Sequence, residues 1–303
     1  MATVVEVTDL RKRYGGTVAV DGVSLTVQAG EIVGIVGPNG AGKTTTVEMM
    51  EGLRRPDAGK VRVLGLDPRG QGAELRQRIG VQLQQAALPD RLKVWEALDL
   101  YASFYRRPAD WRRLLEEWGL DAKRDAAFAD LSGGQRQRLF IALSLVGQPE
   151  VVFLDELTTG LDPQARRATW ELVKQVRAEG ATVVLVTHFM EEAELLCDRV
   201  AIVDRGRVVA LDTPSALVRG LGAGQRLRFR PLGPFDPDRL RGLPGVGQVE
   251  RDGDQVVVAG AGPLLATVAA ALAEGAVAVA DLRSEEANLE DAFLALTGRR
   301  QRD

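Results

Sequence analysis

The sequence predicts an α/β fold, a parallel sheet built around a phosphate-binding loop, and three stretches carry that prediction. An apolar run from Glu31 to Val36 leads without a break into Gly37-Pro38-Asn39-Gly40-Ala41-Gly42-Lys43-Thr44-Thr45. A second run, Val151-Val152-Phe153-Leu154, delivers Asp155 and Glu156. A third, Ala181-Thr182-Val183-Val184-Leu185-Val186-Thr187, ends at His188, the single histidine of the chain. Branched and aromatic residues without alternation indicate strands covered on both faces. Open α/β sheets bind ligands at the carboxyl ends of their strands, and the polar groups of all three runs fall there.

Composition narrows the function classes. With 303 residues, 45% of them hydrophobic, the chain can hold one large domain and a smaller one. The 39 basic and 42 acidic side chains nearly cancel, to a formal charge of -3, so there is no general electrostatic pull toward nucleic acid. The pairs Arg54-Arg55, Arg106-Arg107 and Arg112-Arg113 read as solvated faces. One cysteine, Cys197, excludes an intrachain disulfide, and Glu191, Glu192 and Glu194 before it disfavour a thiolate. Met1 to Tyr14 alternates apolar and charged residues and lacks the apolar core of a signal peptide, so export of the chain itself is not expected. Val256 to Ala273 has no charge over eighteen residues, the length of a membrane span. Half of it is Ala or Gly, and Gly260-Ala261-Gly262-Pro263 breaks it, so a strand followed by a helix is expected instead.

The first loop has the form G-x-x-x-x-G-K-T, followed from Thr44 to Met50 by a helix start, which predicts a P-loop NTPase core. Its glycines let the backbone turn tightly while N–H groups point inward, and the helix N-terminus adds a favourable dipole. Lys43 is expected to reach the β- and γ-phosphates of ATP, and the Thr44 hydroxyl to hold Mg²⁺. Asp155 is expected to coordinate Mg²⁺ directly or through water. Glu156, one residue on, is placed to orient or deprotonate the attacking water. A lone histidine is more often structural, but the strand-end position of His188 favours a role at the ligand.

Leu131-Ser132-Gly133-Gly134-Gln135 lies between the two halves of this nucleotide site. Ser132, Gly133 and Gly134 offer a hydroxyl and backbone donors at the start of a helix, an arrangement that favours an anion. Gln135 to Leu145, apolar at Leu139, Ile141, Ala142 and Leu145, supplies that helix. With this pentapeptide, the phosphate loop, the Asp-Glu strand end and the terminal histidine in this order, the chain resembles the nucleotide-binding subunit of ABC transporters from about Val4 to Leu217.

That resemblance implies further roles. It adds to the core an antiparallel β N-terminal subdomain and an inserted helical subdomain at about 85–150. Tyr14 matches the aromatic that stacks on adenine. Gln84 matches the glutamine that senses Mg²⁺ and the attacking water while linking to the membrane partner, with Gln82 and Gln85 close in register. Ser132, Gly133, Gly134 and Gln135 of one subunit would cap ATP held by the other. Asp162, in Thr158-Thr159-Gly160-Leu161-Asp162, matches the loop that crosses the dimer interface, and Leu157 stands where the family usually has proline, which implies a somewhat more flexible loop. The segment 91–130, with Trp95, Trp111, Trp118 and helical spacing at Val94, Leu98, Tyr101 and Phe104, resembles the subdomain that carries the groove for the transporter's coupling helix; these aromatics equally fit a core of its own.

The ATPase domain is expected to span 1–219, and a small α+β domain 225–303, after a Gly-rich linker. Strands at Arg226 to Phe229, Val246 to Arg251, Gln255 to Ala259 and Ala276 to Leu282, with helices at Pro237 to Leu243 and Pro263 to Ala273, give the order β-α-β-β-α-β of a ferredoxin-like domain. The closing helix, Asn288 to Gly298, is similar to the end of ATPases from the ABC-2 type drug exporters, the daunorubicin resistance group. Dimer support, regulation or a structural cap are the roles open to this domain.

The function implied is an ATPase, with ATP and Mg²⁺, that dimerises around two ATP molecules. It would power export of a drug, lipid or similar substrate through a separately encoded membrane-spanning permease, at the cytoplasmic face of the membrane. A homodimer and no nucleic-acid partner are expected. The alternative is an ATPase of this type serving nucleic acid or the ribosome, which would show long heptads or tandem cassettes. A regulatory ATP-binding module without turnover is disfavoured by the presence of Lys43, Asp155, Glu156 and His188.

Overall fold

The computed structural model describes residues 2–83, 87–220 and 225–298. They form two compact units, Met1–Thr213 and Pro214–Asp303. The division falls ahead of the short helix that begins at Pro214, not at 219 as the sequence suggested, because that helix packs against the last helix of the second unit.

In the first unit β1 (Thr3–Tyr14) and β2 (Thr17–Gln28) form a hairpin, and β3 (Ile32–Val36) leads through the phosphate loop to α1 (Lys43–Met50). After β4 (Ala58–Val63), the short α2 (Gly72–Leu75) and β5 (Ile79–Gln82) come three helices, α3 (Val94–Ala102), α4 (Trp111–Glu117) and α5 (Gly133–Leu145). The chain then alternates: β6 (Val151–Asp155), α6 (Pro163–Ala178), β7 (Thr182–Thr187), α7 (Met190–Leu196), β8 (Arg199–Asp204) and β9 (Arg207–Asp212). Strands β2-β1-β4 make an antiparallel sheet, and β5-β6-β7-β3-β8-β9 make a second sheet, parallel except for β9. Every residue of β3, β6 and β7 is buried, as their unbroken apolar sequences require. Val5, Val7, Val23 and Leu25 of the first sheet share one core with Val33, Ile35, Val47 and Met50 around the loop, so the phosphate site rests on a rigid floor.

Trp111 and Trp118 are buried in the helical segment, and the Trp111 Nε1–H donates to Asp99 at 3.0 Å, so these two rings form the segment's own core. Trp95 lies half-buried with its ring centroid 6.2 Å from that of Trp111. Tyr101 and Phe104 meet edge to face at 5.9 Å and line a cavity of about 580 Å³ with Leu53, Val81 and Leu83.

The second unit holds α8 (Pro214–Arg219), β10 (Gln225–Pro231), β11 (Val246–Asp252), β12 (Gln255–Gly260), α9 (Leu264–Glu274), β13 (Val279–Glu286) and α10 (Leu289–Thr297). Its antiparallel sheet has the order β11-β12-β10-β13, the ferredoxin-like arrangement, with Leu227, Phe229, Val256 and Val258 packed against Leu264, Val268 and Leu272. The helix expected at Pro237 to Leu243 is only a 3₁₀ turn, Pro237–Leu240, because Gly242 and Pro244 stop it at once. The uncharged stretch from Val256 is β12 followed by α9. Among the described residues no helix is long and apolar enough to cross a membrane.

Candidate functional site

The phosphate loop sits at the carboxyl end of β3, which runs between β7 and β8. Two of its glycines are enforced by contact. A Cβ on Gly37 would meet the Val203 carbonyl oxygen at 2.1 Å, and one on Gly42, whose φ is +98°, would meet the Ala19 carbonyl oxygen at 2.2 Å. Gly42 is also the N-cap of α1 and supplies no side-chain cap, so the first-turn N–H groups are open to an anion. Asn39 and Gly40 are exposed, while Pro38, Thr44 and Thr45 are half-buried and Gly37 and Ala41 buried. Lys43 is buried, and its ammonium donates to the carbonyls of Gly37 at 2.8 Å and Pro38 at 3.1 Å. Burial lowers its pKa, opposed by the charges of Glu156 and Asp155.

Asp155, at the end of β6, is 5% exposed, and its Oδ1 has no hydrogen-bond partner among the described residues. Burial pushes its carboxyl up to about 6, against a hydrogen bond from Thr44, with Glu156 repelling and Lys43 attracting. An oxygen left bare beside a threonine hydroxyl suits a divalent cation that completes its shell with phosphate oxygens and water. Among the described residues no cluster of three or more His, Cys, Asp or Glu could hold a metal.

Glu156 adopts φ +50°, a left-handed conformation rare for this residue, fixed by its N–H donating to Val186 O at 2.9 Å. The turn brings its carboxylate 3.3 Å from His188 Nδ1 and 3.5 Å from the Thr159 hydroxyl. Leu157 is buried, so its side chain anchors this loop where a proline ring would stiffen it. The adjacent Thr158 hydroxyl is buried and has no partner among the described residues.

The pentapeptide is arranged differently. Ser132 is the N-cap of α5: the Gln135 N–H donates to its hydroxyl at 3.3 Å, and its own N–H donates to Gln135 Oε1 at 3.0 Å. Ser132 and Gly133 are exposed, and Gly134 is half-buried, its absent Cβ 4.0 Å from Ala165 of α6. Asp162 likewise caps α6, accepting from the N–H groups of Gln164 and Ala165, both at 2.9 Å. Tyr14 ends β1 and is 40% exposed. Gln84, expected at the Mg²⁺ and water, lies outside the described residues, as does Gln85.

Glu51 is a buried acid that the sequence left unmarked. Glu51, at the C-terminal end of α1, is 4% exposed, has an Oε2 with no partner among the described residues, and is pushed up to about 8 by burial and by the charges of Asp155 and Glu48. It follows Met49 and Met50 in an apolar stretch, and nothing in the spacing announces that it turns inward.

The ABC transporter family model matches residues 20–159. The Nod factor export ATP-binding protein I of Ralstonia nicotianae is 40% identical over 310 residues, covering 99% of this chain and 95% of that one. The daunorubicin/doxorubicin resistance ATP-binding protein of Streptomyces peucetius is 38% identical, covering 97% of this chain and 92% of its own length. Among solved structures, an ATP-binding subunit of an ABC transporter is 31% identical with a TM-score of 0.66, over 72% of this chain and 93% of that one. The cbiO1 protein of Clostridium perfringens, part of an ABC transporter complex, is 27% identical with a TM-score of 0.62, over 73% of this chain and 95% of its own.

Proposed function

The chain belongs to the ATP-binding subunits of ABC transporters, an ATPase that powers export, and from that premise we propose that two copies close around two ATP molecules and drive a separate membrane permease. The observation that carries this reading is the bare Oδ1 of Asp155 beside Thr44, at the foot of an uncapped helix N-terminus. Backbone N–H groups from Gly40 to Thr45 bind the β- and γ-phosphate oxygens, and Lys43 adds its charge from within the loop. Thr44 and Asp155, together with Gln84, would hold Mg²⁺, which would supply charge neutralisation at the triphosphate. Glu156 accepts a proton from the attacking water. The Nδ1 contact fixes the Glu156 carboxylate and leaves the other ring nitrogen of His188 for the γ-phosphate.

Ser132, Gly133 and Gly134 of the opposing copy cap the same γ-phosphate, and Asp162 holds the start of α6 at that interface. Tyr14 stacks on the adenine. The permease would seat a cytosolic segment in the cavity beside Tyr101, Phe104 and Leu83, which places the chain peripherally at the cytoplasmic face of the membrane. The named export roles of the Nod factor and daunorubicin/doxorubicin resistance proteins support an exporter of the ABC-2 type.

Complementation tests the shared site. A Lys43→Ala chain and a Ser132→Arg chain should each be inactive alone, while their mixture regains partial turnover because one of its two sites is intact. No recovery in proven mixed dimers would sink the shared site.

A further inference from the structure

We propose that Arg54 is a positioning residue for nucleotide binding: held by Glu48, its guanidinium braces the Tyr14 ring on which the adenine of ATP stacks. The proposal rests on the reading of Tyr14 as the base platform. Tyr14 ends β1 and is 40% exposed, and a side chain so placed would otherwise move between staggered positions. The guanidinium carbon of Arg54 lies 5.3 Å from the ring centroid, and its Nε–H donates to the Glu48 carboxylate. Lys12 also approaches the ring, at 5.5 Å, with its ammonium paired to Asp57 at 2.8 Å. A planar guanidinium can lie along an aromatic face, whereas an ammonium acts as a point charge, so the brace is assigned to Arg54.

Glu48 gives this contact its reach. It stands on α1, the helix whose N-terminus meets the phosphates, so one rigid element would fix both the phosphate cradle and the base platform. Arg54 follows α1 by only a few residues, and the Leu53 and Arg54 N–H groups both donate to the Glu48 carbonyl, at 2.9 and 3.1 Å. The arginine is therefore tied to Glu48 through backbone and side chain alike, and its own freedom is largely spent before ATP arrives.

The test is equilibrium binding of ATP and of inorganic tripolyphosphate, each with Mg²⁺, to the full chain and to Tyr14→Ala, Arg54→Ala, Arg54→Lys and the Tyr14→Ala/Arg54→Ala double variant. Arg54→Ala should weaken ATP about two- to five-fold and leave tripolyphosphate unchanged. Arg54→Lys should recover part of the loss, and once Tyr14 is alanine the arginine should no longer matter. Equal weakening of both ligands, or an undiminished Arg54 effect in the Tyr14→Ala background, would overturn the brace. Tyr14→Ala should itself weaken ATP about ten-fold or more. If it does and Arg54→Ala has no effect, the brace alone fails; if it does not, the base-platform reading falls and the brace with it. Binding of neither ligand by the unaltered chain would remove the nucleotide reading itself.

Discussion

Around the phosphate loop, Asp155 and Thr158 are buried with polar atoms that nothing among the described residues satisfies; at the signature pentapeptide, Ser132 and Gln135 lie near the surface and satisfy each other. The first region resembles an unfinished core. Glu51 and Gln82 are likewise buried, each with an oxygen that has no partner among the described residues. Each such group costs about 1–3 kcal/mol until something bonds to it, and only a well-packed sheet can carry several. The second region is a finished helix cap that stabilises its own α5 whether or not ATP is present. The contrast teaches where each half keeps its function. On the proposed shared site, the buried half shows its chemistry in one chain, whereas the exposed half would show it only opposite a second chain.

The largest expected effect would join the two halves. Glu156→Gln removes the proton acceptor and keeps the shape, so turnover should fall about 10²- to 10⁴-fold. ATP should then hold the chains together, and a sizing column run with ATP and Mg²⁺ should show a dimer. A monomer peak would separate the buried half from the exposed one. His188→Ala should lower kcat about 10²-fold while nucleotide binding persists, and an unchanged kcat would take the histidine out of the chemistry.

Glu51 tests the unfinished core by pH. Its carboxyl is raised from 4.5 to about 8, so between those values the folded chain keeps a proton that the unfolded chain has released. Stability must therefore decline as pH rises through that window, by on the order of a few kcal/mol from this group. Thermal melts at both ends of the window should show the decline in the unaltered chain and a flatter response in Glu51→Gln. Equal slopes would mean that the acid is solvated after all. The smallest effect belongs to the finished cap: Ser132→Ala should cost about 1 kcal/mol, or roughly 2–4 °C in Tm. A much larger drop would show that the signature packs into its own chain rather than merely capping it.

What the sequence made legible follows the same division. The phosphate loop, the Asp155-Glu156 strand end and His188 could be placed because strand, turn and helix are adjacent in the chain and their residue types are demanded by local geometry. The S-x-x-Q pattern of Ser132 and Gln135 was also there to be read as a capping box. Glu51 could not be found this way, since burial of an acid depends on helices and strands that meet it from elsewhere. Nor could Arg54, which reaches a ring at the far end of β1. In the second unit, the strands followed from alternation and turns, but Gly242 and Pro244 cut the first helix to a single 3₁₀ turn.

Lys43 carries one more consequence. Because its ammonium already donates to the carbonyls of Gly37 and Pro38, the cradle keeps its form without relying on the ligand. ATP would enter a mould already cast. Capture then involves little folding of the chain, and its heat-capacity change should be small, reflecting contact with the base and not the ordering of a loop.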